Sequence, residues 1–269
     1  MIYLNLKGGL GNMMFQIAAT KSISLSLKTD FSFPNLRNHL IYLSSEMQYN
    51  PKVNYCNEYL NLPFLKNVKT ENPTFPVNTI TFPFHYQNIQ LNSTSIRIDG
   101  FFQSEKYFQK HKEQILEMFA PEEKTLGYLT SKYVDLLDKQ TTSIHVRRGD
   151  YIRNSNHHFV QRLDYFNQAI EMLDSKTDKF LIFSDDIEWC RKNFEGEKFF
   201  FVENEKDYNE IYLMSLCKNN ITSNSSFSWW GAWLNKNENK TVIGPKNWFG
   251  PALQSLKTDD IIPESWIKI

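Results

Sequence analysis

Cysteine is scarce in this 269-residue chain, and its three copies, Cys56, Cys190 and Cys217, are scattered without CxxC spacing. That excludes a disulfide framework and a paired-cysteine zinc site. A net charge is missing as well: 30 Lys plus Arg balance 30 Asp plus Glu. Such a balance argues against non-specific nucleic-acid or membrane-surface binding, while leaving room for a local basic pocket. No apolar run is long enough to span a membrane. The opening MIYLNLKGGLGNMMF carries neither a basic leader nor a small-residue cleavage site. Triplets such as Asn92-Ser93-Thr94 then carry no glycosylation meaning, and a soluble, reducing, cytoplasmic location is expected. What the chain does have is an apolar fraction of 41% and an aromatic fraction of 15%, sufficient for real cores. Its length exceeds one typical domain, so two domains sharing a cleft are expected.

Along the chain, residues 2–6 read as a strand, Lys7 to Gly11 as a glycine turn, and Asn12 to about Leu27 as a helix. A strand near 30–33 follows. The Asn- and Pro-rich stretch 34–84 gives no clean period and reads as loops and short irregular elements. A strand at 95–99 and a helix over 104–119 come next, and Pro121-Glu122-Glu123 opens another helix by the proline-plus-acid start signature. The second half alternates regularly. Strands at 143–146, 180–184, 199–202, 220–222 and 241–244 are separated by helices near 163–173, 187–194, 207–217 and 226–235. That alternation predicts a parallel, doubly wound sheet. Ligands of such sheets bind outside the carboxyl ends of the strands, where three polar segments should converge: His145–Asp150, Ser184-Asp185-Asp186 and Ser223–Ser226.

Each segment has a chemical reading and a plainer one. In Lys7-Gly8-Gly9-Leu10-Gly11-Asn12 a glycine turn at a helix start exposes backbone N–H groups to a phosphate. It is an incomplete dinucleotide fingerprint, with Met14 at the third glycine position and Asp30 near the place of a ribose-binding acid. It also reads as a tight turn with no ligand. In His145-Val146-Arg147-Arg148-Gly149-Asp150-Tyr151, alternation along a strand puts His145 and Arg147 on one side and Arg148 on the other. Adjacent arginines beside a glycine suit an anion; Arg148 in a structural ion pair, with Asp150 as the partner, is the plainer reading. Asp185 can accept two hydrogen bonds from guanine's ring N–H and exocyclic amine, or it can cap a helix three residues before Glu188. Ser225 and Ser226 offer hydroxyls at a helix start for a second phosphate contact, or serve as the N-cap. Trp229, Trp230 and Trp233 read as packing, His157 and His158 as loop residues. No acidic cluster has metal-ligand spacing.

Five segments, GGLGNMMFQIA, GFFQSEKYF, HVRRGDY, FSDDIEWC and NSSFSWWGAW, stand in the order found in the bacterial α1,2-fucosyltransferases, and over residues 5–248 the chain resembles that family. It departs at Met13, where the family usually has glutamine. The resemblance implies an α/β, GT-B-like enzyme with two Rossmann-like domains whose parallel sheets face a cleft. It implies an acceptor-side domain over 1–125 and a GDP-fucose-binding domain over 126–269, with an inverting reaction that needs no metal or other cofactor. By the same resemblance His145 and Arg147 hold the guanine side and the β-phosphate. Arg148, Ser184, Asp185, Ser225, Ser226 and Phe227 belong to the nucleotide site, and Gly9, Leu10, Gly11 and Asn12 reach it from the first domain. Arg147 would stabilise the leaving diphosphate, and Asp150 is the candidate general base. The implied partners are GDP-fucose and a galactose-containing glycan, such as a surface polysaccharide or O-antigen repeat, free or lipid-linked, with peripheral contact at the inner membrane. Two other readings are a nicotinamide-dependent oxidoreductase built on the first glycine turn and a non-catalytic nucleotide- or glycan-binding protein.

Overall fold

Short strands alternating with helices resolve into two all-parallel sheets in the computed structural model, which describes residues 1–45, 54–88, 90–91, 93, 95–137 and 140–269. The chain divides into two units, Met1–Ala120 with Lys257–Pro263, and Pro121–Leu256 with Glu264–Ile269.

The first unit runs β1 (Ile2–Tyr3), α1 (Leu10–Leu27), β2 (Phe31–Ser32), α2 (Leu36–Ser45), α3 (Tyr55–Tyr59), β3 (Thr79–Thr81), β4 (Ile96–Asp99) and α4 (Lys112–Met118). Its sheet order is β2-β1-β4-β3. Helix α1 is apolar around most of its circumference, and Met13, Phe15, Ile17, Ala18 and Ala19 have no exposure at all, as befits a helix buried on several sides. Near its other end the chain returns to this unit: Asp260 Oδ2 accepts the Tyr86 N–H at 2.5 Å, and Ile261 and Ile262 are buried.

Two sequence expectations need correction here. The stretch 34–84 contains α2, α3 and β3; the stripe Leu36, Leu40, Leu43 is buried on helical spacing, a period that Pro34, Asn35 and Asn38 obscure. Residues 46–53 of that stretch, and Asn92 and Thr94, lie outside the described residues. The helix expected over 104–119 is two 3₁₀ turns, Glu105–Tyr107 and Gln109–His111, followed by α4. Ser104 accepts the Lys106 N–H, and a break at Phe108 (φ −134°) lets the adjacent Tyr107 and Phe108 both enter the core.

The second unit runs α5 (Glu123–Lys132), α6 (Val134–Leu137), β5 (Thr141–Val146), α7 (Gly149–Arg153), α8 (Leu163–Leu173), β6 (Lys179–Ser184), α9 (Ile187–Asn193), β7 (Phe199–Phe201), α10 (Asp207–Leu216), β8 (Asn219–Ile221), α11 (Ser226–Trp233), β9 (Val242–Gly244) and β10 (Ile267–Lys268). The sheet order is β10-β9-β8-β5-β6-β7. Every residue of the central strand β5 is buried, which is the pattern of a parallel strand covered on both faces. Ile144, Val146, Phe180, Ile182, Ile221 and Ile243 from four strands meet Phe166, Ala169 and Leu173 of α8 and Cys190 and Phe194 from α9 and its end. The tryptophans of α11 are buried against one another and against Trp266. Helix α5 is tied to the start of α10 by buried Glu205. Its carboxylate accepts from Tyr128 Oη at 2.9 Å, Tyr133 Oη at 3.1 Å and Asn209 Nδ2 at 3.1 Å, and pairs with Lys132. Burial opposes its charge, but these donors outweigh it and hold Glu205 below its ordinary value.

The strand orders locate the functional edges. In the second sheet the chain builds outward from β5 through β6 and β7, then restarts at β8 and continues the other way through β9 and β10. The reversal lies between β5 and β8. In the first sheet β1 leads to β2 on one side and is flanked by β4 on the other. Crevices at such reversals, outside the carboxyl ends of the strands, are where open α/β sheets bind ligands.

Candidate active site

In the first unit the reversal is occupied by the glycine turn and by residues that follow β4. Gly8 takes φ +76°, a conformation open to glycine, and a Cβ there would lie 2.4 Å from Asn12 Nδ2. The turn is fixed by Gln16, whose side chain accepts the Lys7 N–H at 3.0 Å and donates to the Lys7 carbonyl at 2.8 Å. His39 Nε2 donates to the Gly8 carbonyl at 2.8 Å. Gly9 is the N-cap of α1 and offers no side-chain cap; the first intrahelical N–H is that of Met13, bonded to the Gly9 carbonyl at 3.0 Å. Gly9, Leu10 and Gly11 are buried and Asn12 is half-buried. Gln103, from the segment after β4, donates to Asn12 Oδ1 at 2.6 Å and so bridges the crevice. Met13, the departure from the family's glutamine, faces the core with no exposure.

Asp30 is not a ribose acid. It precedes β2, at the amino edge of the sheet, and pairs with Lys69 at 2.8 Å on the surface. That hydrogen bond and the charge behind it hold its carboxyl below the usual range. The dinucleotide reading loses its acidic residue as well as its third glycine.

In the second unit three segments meet at the reversal, after β5, β6 and β8. His145, at the end of β5, is 4% exposed. Its Nδ1 lies 2.9 Å from Ser223 Oγ, across the reversal, and its ring packs on Phe227 with centroids 5.3 Å apart. Burial pushes His145 down to about 3; Asp185 opposes that shift and Arg147 adds to it. The ring is therefore neutral and enters the site as a packing and hydrogen-bonding group, not as a second cation.

This neutrality has a consequence for stability. A histidine whose folded-state value lies below its ordinary 6.5 contributes fully above that value. Its contribution is lost as pH falls from 6.5 toward about 3, because the unfolded chain takes up the proton first. The slope is on the order of 1.4 kcal/mol per pH unit, so moving from pH 7 to pH 5 should cost this residue about 2 kcal/mol. In denaturant titrations at the two pH values, His145→Gln should shrink the wild-type difference by about that amount. An unchanged difference would show that the ring is not held neutral.

Arg147 and Arg148 diverge as expected, but to other carboxylates. Arg147 Nη2 pairs with Asp150 at 2.7 Å and its Nε with Asp185 at 3.3 Å; its guanidinium lies 5.4 Å from the Tyr151 ring centre. Arg148 pairs with Asp186 at 3.1 Å, not with Asp150, and stacks 4.0 Å over Trp189. Of the two readings of Asp185, the helix cap falls to its neighbour: Asp186 caps α9 by accepting the Trp189 N–H at 3.2 Å. Asp185 instead accepts the Arg148 N–H at 2.9 Å. A Cβ at Gly149 would sit 2.8 Å from Asp185 Oδ2, so the glycine after the two arginines lets that carboxylate in. Ser184 Oγ donates to the Val146 carbonyl at 2.8 Å and accepts the Asp186 N–H at 2.9 Å, pinning the end of β6 to β5.

Ser225 is the N-cap of α11, accepting the Phe227 N–H at 3.3 Å, and Ser226 and Phe227 are half-buried in the first turn. Sequence reasoning missed Asn224 and Gln161. Asn224 Nδ2 donates to the carbonyls of Phe159 and Trp248 at 2.8 and 2.7 Å, and its Oδ1 accepts from Gln161 at 3.1 Å. It thereby ties the loop after α7 to the segment after β9. The signal for Asn224 was its place at the head of the NSS segment; nothing marked Gln161. Among the described residues no group of three or more His, Cys, Asp or Glu is arranged to hold a metal ion, and no helix is long and apolar enough to cross a membrane.

A family model described as glycosyl transferase family 11 matches residues 1–269. The chain is 32% identical to the Escherichia coli O-antigen biosynthesis glycosyltransferase WbnK over 306 aligned residues, covering 100% of both chains. It is also 32% identical to an Escherichia coli alpha-1,2-colitosyltransferase over 295 aligned residues, covering 100% of this chain and 98% of that one. Among solved structures, the alpha-1,6-fucosyltransferase NodZ soaked with GDP-fucose superposes with a TM-score of 0.52 at 13% identity, over 87% of this chain and 92% of that one. That likeness shows the fold, α/β and GT-B-like with parallel sheets.

Proposed function

The chain belongs to glycosyl transferase family 11, and from this membership we propose that it moves L-fucose from GDP-fucose to O2 of a galactosyl residue in a surface-polysaccharide or O-antigen repeat, with inversion and without a metal ion. The observation that carries the reading is the Arg147 fork, fixed by Asp150 and Asp185 beside the reversal between β5 and β8. A nucleoside diphosphate leaving an anomeric carbon gathers negative charge on its β-phosphate, and a planar, permanently charged guanidinium suits that charge.

The roles follow. The second unit binds the donor, with Asp185 toward guanine, Arg147 at the β-phosphate, and the start of α11 with Ser225, Ser226 and Phe227 lining the nucleotide. Arg148, paired with Asp186, and Ser184 brace Asp185. His145 supports Phe227. The first unit serves the acceptor side, and the N–H groups of Gly9 to Asn12 lie at the positive end of α1. The acceptor hydroxyl attacks the face opposite GDP through an oxocarbenium-like transition state. Asp150, with its side chain 44% exposed against 26% for Asp185, is the carboxylate assigned to receive the acceptor proton. A cytoplasmic enzyme meeting a lipid-linked acceptor at the inner membrane fits the O-antigen relative.

A second donor is favoured by one observation. The colitosyltransferase relative, at the same 32% identity, takes by its name a sugar that differs from fucose in lacking one hydroxyl. Purified protein should be incubated with GDP-fucose or GDP-colitose and a panel of β-galactosides, and the product linkage read by NMR. Expected is an α1,2-linked fucosyl product on galactose, made at least tenfold faster than the colitosyl one, since a site built to hydrogen-bond a hydroxyl rejects the analogue without it. A faster colitose reaction would reassign the donor. Transfer confined to non-galactosides would overturn the acceptor.

A further inference from the structure

An aromatic pair, Tyr151 and His158, stands beside Arg147. Tyr151 opens its ring toward the Arg147 guanidinium, 5.4 Å from ring centre to carbon. The imidazole of His158 lies on the same tyrosine, with centroids 4.2 Å apart and planes only 10° from parallel. Neither residue is loosely held. Tyr151 Oη donates to the Asn224 carbonyl at 3.0 Å, and Asn224 is the buried residue that ties three segments together. His158 is fixed through its backbone, donating to the Asn154 carbonyl at 3.0 Å and bridging antiparallel to Phe249. Both side chains are half-buried.

We propose that Tyr151 and His158 are positioning residues for the transfer reaction: a two-ring stack, braced on Asn224, that fixes the plane of the Arg147 guanidinium toward the donor's diphosphate. The inference rests on the reading of Arg147 given above. Its physical basis is division of labour around a planar ion. Asp150 and Asp185 meet the guanidinium at its edges, and edge contacts leave tilt about their own axis. The Tyr151 ring beside the guanidinium, 5.4 Å from ring centre to carbon, limits that tilt, and the His158 ring stacked on it limits the movement of Tyr151. An arginine over an aromatic ring gains cation–π attraction as well. The charges around His158 are Asp150, Arg147 and His157; burial is the largest influence and lowers its proton affinity. A neutral imidazole is what the stack requires, since a second cation beside Arg147 would repel it.

The test separates a positioning role from a structural one. Tyr151→Leu removes the ring and keeps the bulk, whereas Tyr151→Phe keeps the ring and removes only the hydrogen bond to Asn224. His158→Ala removes the upper ring, and His158→Phe replaces it. Turnover and KM for GDP-fucose, GDP affinity by tryptophan fluorescence, and melting temperature are measured for each, in the wild-type and Arg147→Lys backgrounds. Tyr151→Leu should lower kcat about tenfold or more while GDP affinity moves less than about threefold, since misorientation of a charge-stabilising group costs rate before it costs binding. Tyr151→Phe should recover most of that loss, and His158→Phe more than His158→Ala. If the ring acts through the guanidinium, Tyr151→Leu should add less than about threefold once Arg147 is lysine. An equal loss in both backgrounds, or wild-type turnover in Tyr151→Leu, overturns the proposal. Wild-type turnover in Arg147→Lys alone would instead overturn the reading on which it rests.

Discussion

Arg147→Lys is expected to lower turnover by about a hundredfold or more, while GDP binding stays within severalfold of wild type. Lysine keeps the charge and loses the fork. A guanidinium has several N–H donors in one plane, so it can stay on Asp150 and Asp185 while it meets phosphate oxygens. An ammonium is a point charge on a flexible stem, and held by two carboxylates it has no fixed geometry left to offer. The loss should fall on kcat, because the β-phosphate gathers its extra charge only as the glycosidic bond breaks. With a guanidinium meeting that charge no divalent ion is needed, and activity should survive excess chelator. Single-turnover kinetics on metal-stripped protein reads both halves. A lysine variant within about threefold of wild type, well under 1 kcal/mol, would remove Arg147 from the mechanism. Activity abolished by chelator and restored by magnesium or manganese would return the charge to a metal.

Asp185→Ala should weaken GDP and GDP-fucose alike, by about tenfold or more, which is the scale of a charge-assisted pair of hydrogen bonds. Both ligands carry the same base, so an equal loss is the signature of base recognition. Asp185→Asn retains one acceptor oxygen and should recover part of the affinity. Because Asp186 and not Asp185 caps α9, the alanine variant should melt within a few degrees of wild type. Gly149→Ala reaches the same carboxylate from the other side, by bringing a methyl to 2.8 Å from Oδ2, and should weaken nucleotide binding with Asp185 intact. A large drop in melting temperature with unchanged nucleotide affinity in Asp185→Ala would make the residue a structural brace only.

These predictions rest on a site whose outline was legible before the fold was known. Alternating strands and helices place the ends of β5, β6 and β8 along one edge, and a strand's two-residue period separates Arg147 from Arg148. What the sequence could not supply was partnership. Asp150 stands beside the two arginines and Asp185 and Asp186 more than thirty residues further on, so sequence spacing alone favours Asp150 for either arginine. Only the parallel register of β5 with β6, which sets Val146 opposite Ser184, brings Asp185 to Arg147 and Asp186 to Arg148. The cap at the start of α9 was off by one residue for the same reason: Asp185 was already taken by a backbone N–H from the neighbouring strand's end. In the first unit, α2 was hidden because its apolar stripe is only three residues long and sits among helix-breaking neighbours. Gln16, which clasps the glycine turn, looked like any polar residue of α1; its role depends on a contact nine residues back.

Asp260 and its neighbours give the chain an order of assembly. A ribosome delivers residues 1–120 first, yet the unit they form also contains Lys257–Pro263, with Asp260 bonded to the Tyr86 backbone and two isoleucines buried. Vectorial synthesis therefore cannot finish the amino-terminal unit until more than a hundred residues of the other have emerged, although domains made this way usually fold in turn from the amino terminus. During that interval the early unit stands with an unclosed apolar seam. The later unit is in turn completed by Glu264–Ile269, which follow those seven residues in the chain, so the two units close one directly after the other.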